Sequence, residues 1–267
     1  MKVVSFPGLN LKFEFSRIAF SIFGIPIYKY AVCIVLGIIV ALILCSVHKE
    51  KFEIDFDFIL ENTILGITFG IIGARLYYVL FNLDYYIENL EEIFNFRSGG
   101  LAIFGGLIFG GIAILINCKI HKKDVLNFFD CIVPYVAIAQ CIGRFGNFFN
   151  NEAYGYETIS ILRMGINTVN GYIEVHPTFL YESISTFIIA IILINMKRKR
   201  KYKGQILLLY CTLYGFARSI IEDFRQDSLM LFNMRVSQIL SMIILSLSLF
   251  LLILNMKKYR IFQTKEK

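Results

Sequence analysis

Residues 125–155 read VLNFFDCIVPYVAIAQCIGRFGNFFNNEAYG, an apolar run that ends in a polar, glycine-rich segment. The apolar part is long enough to cross a membrane as a helix, which takes about 20 residues. The segment 143–155 then places a guanidinium, three amides and a carboxylate where a span meets water: Arg144, Asn147, Asn150, Asn151 and Glu152. Its three glycines permit sharp turns or a close approach to a ligand. These groups suit an anionic head group better than a simple helix end.

Long apolar blocks recur along the whole chain. Hydrophobic residues make up 57% of the sequence, and their grouping into blocks favours membrane spans over one large soluble core. Seven blocks have the length of a span: about 25–47, 57–80, 101–118, 125–143, 178–196, 204–222 and 236–256. The sequence therefore predicts an all-α integral membrane protein with seven transmembrane helices, forming one polytopic domain over residues 1–267.

The basic residues predict the orientation. The connections after spans one, three and five and the C-terminal tail hold 16 Lys and Arg, whereas the opposite side holds 8. Basic loops stay in the cytoplasm, so we expect the N-terminus outside, the C-terminus inside and a small extracytoplasmic cap from residues 144–177. The net charge of +7 then reflects topology and contact with membrane lipid, and we expect no nucleic-acid partner.

Metal chemistry and a disulfide framework have little support in the sequence. The six cysteines fall in or beside spans without the spacing of metal ligands, and the chain has only three histidines. The first long apolar run also continues to full membrane thickness without a small-residue cleavage site. We therefore expect no metal, no cofactor and no cleavable signal peptide.

Polar side chains gather at one depth of the predicted membrane. A charge at the bilayer centre costs about 2.5–3.5 kcal/mol on insertion scales, so each needs a partner or a function. With the orientation above, at least five spans direct polar groups to the outer third of the membrane: Tyr30, Arg75, Arg144, His176, Glu182, Arg218, Glu222 and Arg225. The inner half carries few such groups.

Two interpretations of these polar groups remain open. Arginines at span ends often snorkel to the interface, which alone explains Arg75, and Arg218 and Glu222 have the spacing of a helical ion pair. As a set, three arginines with a tyrosine and amides resemble a phosphate cradle, because the guanidinium fork binds phosphate oxygens in pairs. Phosphate at head-group depth indicates a phospholipid substrate and a lipid-modifying enzyme.

Other classes of membrane protein fit less well. A transporter or flippase usually has polar residues at the midplane and an internal repeat, and neither is evident here. A seven-span receptor is favoured only by the number of spans. A CDP-alcohol phosphotransferase needs clustered aspartates for a divalent metal, and the sequence has no such cluster.

The chain resembles bacterial prolipoprotein diacylglyceryl transferases over nearly its whole length. The segment 143–155 is similar to the signature of that family, and the first span carries its tyrosine at Tyr30. Four further blocks match in order and spacing: GARLYYVLF at 73–81, SGGLAIFGGLI at 98–108, HPTFLYE at 176–182 and YGFARSIIEDFRQD at 214–227.

The resemblance implies both the reaction and the site. The family transfers the sn-1,2-diacylglyceryl group of phosphatidylglycerol to the lipobox cysteine thiol of a preprolipoprotein signal peptide, releasing glycerol 1-phosphate. This implies a multi-pass protein of the bacterial cell membrane. Matched position by position, the resemblance implies five catalytic residues: Arg144, Arg218, Tyr30, Asn147 and Glu152. The substrate-binding set is Arg144, Gly155, Glu222, Arg225, Arg75, His176, Glu182, Gly105 and Gly106.

One position departs from many family members. They carry a histidine directly before the Gly-Gly pair of span three, and here that residue is Phe104. This chain therefore lacks an obvious imidazole base for the thiol at that position. The glycines of spans two and three also follow the small-xxx-small spacing of packed membrane helices, at Gly66 and Gly70 and at Gly106 and Gly110.

The predicted orientation can be tested by cysteine labelling. We expect a cysteine introduced at Ser160 to react with a membrane-impermeant maleimide added to intact cells. One introduced at Arg200 should react only after the membrane is opened, because basic residues are concentrated on that side. Labelling of both positions from the same side would contradict the topology.

Overall fold

The computed structural model describes residues 2–48, 52–96, 99–168, 171–227, 230–231 and 234–265. Within these ranges the helices are α1 (Lys29–His48), α2 (Phe56–Leu80), α3 (Leu83–Glu88), α4 (Ile103–Ile120), α5 (Val125–Asn150), α6 (Thr178–Lys197), α7 (Gln205–Ile221) and α8 (Val236–Lys265). The strands are β1 (Lys2–Phe6), β2 (Leu11–Phe15), β3 (Ile18–Ile22), β4 (Ile25–Tyr28), β5 (Met164–Thr168), β6 (Gly171–Val175), β7 (Met230–Leu231) and β8 (Met234–Arg235).

Six of these helices are long and apolar enough to cross a membrane: α1, α2, α4, α5, α6 and α8. The chain is therefore a mostly helical, multi-pass membrane protein. The remaining predicted span, 204–222, coincides with α7, which has only 17 residues. A total of seven spans thus stays a prediction.

Three predicted boundaries were wrong. The last helix, α8, continues past residue 256 to Lys265. Residues 25–28 do not begin the first span, because they form β4, which pairs with β3, and α1 starts only at Lys29. The helix of the fourth span does not end at residue 143 but continues past Gly146 to Asn150. Gly146 serves close packing instead of termination, since a Cβ there would lie 2.6 Å from the ring of Tyr30.

The chain folds into two compact units, Met1–Cys45 with Phe129–Lys267, and Ser46–Phe128. In the first unit a four-stranded antiparallel sheet has the order β2-β1-β5-β6. The prediction of an all-α protein was therefore wrong, because the segment predicted as a cap contains β5 and β6, and N-terminal strands complete their sheet. Its apolar core joins both parts of the chain through Val4, Phe6, Met164, Ile166, Val175 and Phe179.

Helices α5 and α6 run antiparallel, with ion pairs and hydrogen bonds at both ends. We call the end formed by Asn150 and Thr178 the sheet end, because β5 and β6 connect α5 to α6 there. At the opposite end, the buried Asp130 of α5 accepts the backbone N–H groups of Gly204 at 2.7 Å and Leu207 at 2.8 Å. This carboxylate satisfies amides at the start of α7 that have no partner within the helix.

The second unit is built on close packing of α2 against α4. A Cβ on Gly105 would lie 2.3 Å from the carbonyl oxygen of Gly73, and one on Gly110 would lie 2.7 Å from that of Gly66. Only glycine permits this approach of the two backbones, as the small-residue spacing indicated.

Candidate active site

The carboxylate of Glu182 lies at the centre of the site, in the second turn of α6. Its side chain is only 4% exposed. Arg144 from the last turns of α5 forms an ion pair with Oε2, and Arg218 from the last turn of α7 donates a hydrogen bond to Oε1. The Nη1 atom of Arg225 lies 3.8 Å from Oε1. Glu182 therefore joins basic groups from three parts of the chain.

A second buried carboxylate completes the charge distribution. Glu222 lies one turn after Arg218 and pairs with its Nη2 atom at 2.6 Å. The third guanidinium, of Arg225, contacts Asp227, whose side chain is 52% exposed and largely screened by solvent. The guanidiniums of Arg144 and Arg218 thus share two buried carboxylates, while that of Arg225 is paired mainly with the more exposed Asp227.

Tyrosines border the same cluster. Tyr214 of α7 lies beside Arg144, and its ring stacks on that of Tyr210 at 5.5 Å between centroids. Tyr30 packs against Gly146 and lies near the charges of both Arg144 and Glu152. Tyr30 was predicted from the sequence and Tyr214 was missed, although its position four residues before Arg218 places both on one face of α7.

The segment after α5 turns through backbone geometry that L-residues rarely adopt. Asn151 and Ala153 have φ values of 51° and 54°. Asn147 donates a hydrogen bond to Glu152 at 3.1 Å, and the buried hydroxyl of Thr178 donates one to the Ala153 carbonyl. These contacts hold the polar side chains of segment 143–155 at the start of α6.

Gly155 lies between two other backbone segments. Its N–H donates to the His176 carbonyl at 2.9 Å, and it forms an antiparallel bridge with Arg225. A Cβ at this position would lie 2.4 Å from the Phe224 carbonyl oxygen and 2.7 Å from Cβ of His176. Glycine here lets segment 143–155 tie the start of α6 to the chain after α7.

His176 is held by aromatic residues beside the cluster. Its Nδ1 atom is 3.0 Å from the hydroxyl of Tyr181, and its ring centroid is 4.9 Å from that of Phe224. Burial lowers the pKa of the imidazole below its ordinary value, so His176 is neutral at neutral pH. In the part of the chain that the structure describes, no three His, Cys, Asp or Glu residues come together as a metal site.

Three predicted residues belong to the second unit. The buried guanidinium of Arg75 donates to the carbonyl oxygens of Ile93 and Gly99, both at 2.9 Å, of Gly100 at 3.0 Å, and of Glu92. It therefore binds the described residues 92–93 and 99–100 before α4. Gly105 packs against α2, as described above, and a Cβ on Gly106 would lie 3.4 Å from the Gly70 carbonyl oxygen. A substrate-binding role for the three residues stays a prediction.

The fold and site define a class, a multi-pass membrane protein that holds arginines around buried carboxylates at one end of its helices. A sequence model of the family prolipoprotein diacylglyceryl transferase matches residues 17–254. The chain belongs to this family, and it is a transferase.

Curated relatives support this assignment. The phosphatidylglycerol–prolipoprotein diacylglyceryl transferase of Clostridioides difficile is 44% identical over 227 residues, which cover 85% of this chain and 90% of that protein. The enzymes of the same name from Finegoldia magna and Clostridium kluyveri are each 43% identical, and the matches cover 86% and 87% of this chain and 91% and 94% of theirs.

The packing of Gly155 generates a prediction with an internal control. Gly155→Ala should shift the backbone at residue 176 or 224, and misplacement of about 1 Å can cost about 10²-fold in rate. Gly143→Ala adds the same methyl group where nothing lies within 4 Å, in the interior of α5. That control should keep its activity and gain up to about 1 kcal/mol of stability. Equal activity of the two variants, measured as diacylglyceryl transfer, would contradict the structural role of Gly155.

Proposed function

We propose that this protein transfers the sn-1,2-diacylglyceryl group of phosphatidylglycerol to the lipobox cysteine thiol of preprolipoproteins. The reaction forms a thioether, releases glycerol 1-phosphate and is the first step of bacterial lipoprotein maturation. The observation that carries the proposal is the Arg144–Glu182–Arg218 cluster, in which one buried carboxylate orients two guanidiniums, in a chain of this family.

The proposed setting is the bacterial cell membrane. We place seven helices across it, with the N-terminus outside and the C-terminus in the cytoplasm. The distribution of 16 basic residues on one side against 8 on the other supports this orientation. The sheet end then lies outside, where a secreted preprolipoprotein presents its cysteine.

In the proposed complex the phosphate of the lipid lies between Arg144 and Arg218. The Arg144 side chain pairs with Glu182 and lies beside Tyr214, and a guanidinium has five N–H donors, so donors remain for phosphate oxygens. Asn147, Glu152 and Gly155 shape this site, while Glu222 and Arg225 hold Arg218 and Glu182 in place.

The chemical step increases charge at this position. The thiolate sulfur forms a bond to the terminal glyceryl carbon of the diacylglyceryl group. The bond from that carbon to the phosphate oxygen breaks, and its electron pair stays on the departing glycerol 1-phosphate. The leaving phosphate thus goes from one negative charge towards two. Arginines already oriented in a low-dielectric site stabilise this growing charge without reorganisation.

Ionisation of the thiol does not require a dedicated imidazole. A cysteine thiol has an unperturbed pKa of about 8.5, and neighbouring cations lower it. Arg144 and Arg218 supply such cations, and Tyr30, which lies near Glu152, can relay the proton with it. The family resemblance places Phe104 where many members carry a histidine. In this chain the arginines promote ionisation of the thiol by stabilising the thiolate.

Reconstitution tests the function and the arginines together. The purified protein, mixed in vesicles with phosphatidylglycerol and a lipobox peptide, should add a diacylglyceryl mass to the peptide cysteine. Arg144→Ala and Arg218→Ala should each lower the rate by about 10²-fold or more, because each removes an oriented contact to phosphate. Arg144→Lys should restore little activity, since an ammonium lacks the fork.

Arg163 provides a matched control for loss of a guanidinium. It pairs with Glu174 beside the sheet, at 2.5 Å and away from Glu182. Arg163→Ala should therefore transfer at close to the normal rate. Absence of the diacylglyceryl mass with the unaltered protein would contradict the proposed function. Near-normal activity of Arg144→Ala or Arg218→Ala would contradict the proposed phosphate site but not the proposed function.

The environment of His176 predicts the pH dependence. Because burial lowers the pKa of its imidazole, His176 loses its proton at a lower pH than an exposed histidine does, and we do not assign it as the base. The rate should therefore rise with pH as the substrate thiol ionises, without a titration near 6.5. His176→Gln should keep most of the activity, as should the control His121→Gln. Loss of activity in a folded His176→Gln protein, restored by added imidazole, would show that His176 is the base.

A further inference from the structure

The hairpin formed by β3 and β4 has an apolar face that the described chain leaves about half exposed. Ile22 pairs with Ile25, and Phe20 with Ile27, so these four side chains share a face of the ribbon. Phe20, Ile22 and Ile25 are 51%, 49% and 48% exposed. The other face presents Ser21 opposite Pro26. A two-stranded hairpin is marginally stable in water, so we expect this apolar face to be buried against another apolar surface.

The tip of the hairpin is also apolar. Phe23 is fully exposed at 100%, with φ at 49°, and Gly24 follows with φ at 78°. Two successive positive φ values form a tight hairpin turn, in which the first position is usually Asn, Asp or Gly. A bulky aromatic residue is unfavourable there, and Phe23 gains no burial against the chain that could offset it.

The base of the hairpin is fixed to the sheet end of the helices. Arg17 donates to the Asn150 carbonyl at 2.8 Å, and the Lys29 N–H donates to the Arg17 carbonyl at 2.9 Å. The ammonium of Lys29 lies 5.1 Å from the ring centroid of Phe149. Because α1 begins directly after β4, the four residues of β4 keep the tip within about 14 Å of a candidate span.

The preceding N-terminal strands present a similar apolar surface. A groove of about 310 Å³ lies between β1–β2 and the sheet end of α5 and α6, lined entirely by apolar side chains that include Phe6, Leu9, Leu11, Phe13, Phe145 and Phe148. Lys2 donates to the Asn150 carbonyl at 3.0 Å, the acceptor that Arg17 also uses. Strands β1 and β2 precede residue 17, where the family match begins.

We propose that the β3–β4 hairpin is a membrane anchor that inserts into the leaflet at the sheet end of the helices. Phe23 and the face bearing Phe20, Ile22 and Ile25 would lie among acyl chains. The cations at its base, Arg17 and Lys29, would contact the phosphates of anionic lipid. Exposed apolar side chains beside a cationic base are the features by which peripheral elements bind such a surface. This anchor requires only that the chain spans a membrane, not the proposed chemistry.

The chain contains no tryptophan, which permits a direct test. Phe23→Trp introduces a single fluorophore at the tip of the hairpin. The full chain is reconstituted in phosphatidylglycerol–phosphatidylcholine vesicles, with or without brominated acyl chains. Brominated lipid should quench this fluorophore several-fold more strongly than it quenches the control Ile159→Trp. Residue 159 is 97% exposed in the connection between α5 and β5. Aqueous iodide should show the reverse order.

A second variant controls for the possibility that the substitution at residue 23 disturbs the hairpin turn. Ile25→Trp lies on the apolar face and should behave as Phe23→Trp does. Iodide quenching of both fluorophores as strong as that of the control, with no effect of brominated lipid, would overturn the proposal. Protection from iodide that develops only when a lipobox peptide is added would overturn it also, because the hairpin would then bind peptide. Transfer activity plays no part in these readouts.

Discussion

The burial of one carboxylate organises the sheet end of this protein. Glu182 is almost completely removed from solvent, and a buried charge must be paired. Its two oxygens are shared by Arg144 of α5 and Arg218 of α7, so the ends of three helices are fixed by one side chain. Removing one partner of such a pair typically costs about 3–5 kcal/mol, because the other charge is left uncompensated. The two interpretations of the arginines, as ion pairs between helices and as ligands for a phosphate, are therefore compatible, since the ion pairs also orient the guanidiniums.

Pairing with carboxylates is also what allows the arginines to be buried. Arg144 and Arg218 share Glu182, and Arg218 also pairs with Glu222. Bare arginines would be too costly to bury. In the proposed reaction, guanidiniums that these pairs already orient would stabilise the charge that develops as the phosphate departs. Such preferential stabilisation of the transition state is what accelerates a reaction.

Hydropathy and depth made much of the structure predictable. Helices α2 and α6 begin and end within one residue of the predicted spans, because span length and apolar blocks are properties of local sequence. Arg144, Glu182 and Arg218 were predicted to lie at one depth of the membrane, and the structure shows them in contact. Depth does not determine which way a side chain points around its helix, so the carbonyl partners of Arg75 could not be derived. The pairing of β1 with β5 could not be predicted either, since Val4 and Ile166 are separated by more than half of the sequence.

Phe104 bears on how the thiol loses its proton in the proposed reaction. A histidine base accepts the proton, whereas a nearby guanidinium acts on the same equilibrium by stabilising the thiolate. In our proposal Arg144 and Arg218, which Glu182 orients towards the phosphate, also stabilise the thiolate. A dedicated imidazole is then not needed for ionisation, and the proposal requires instead a path for the proton past Tyr30 and Glu152.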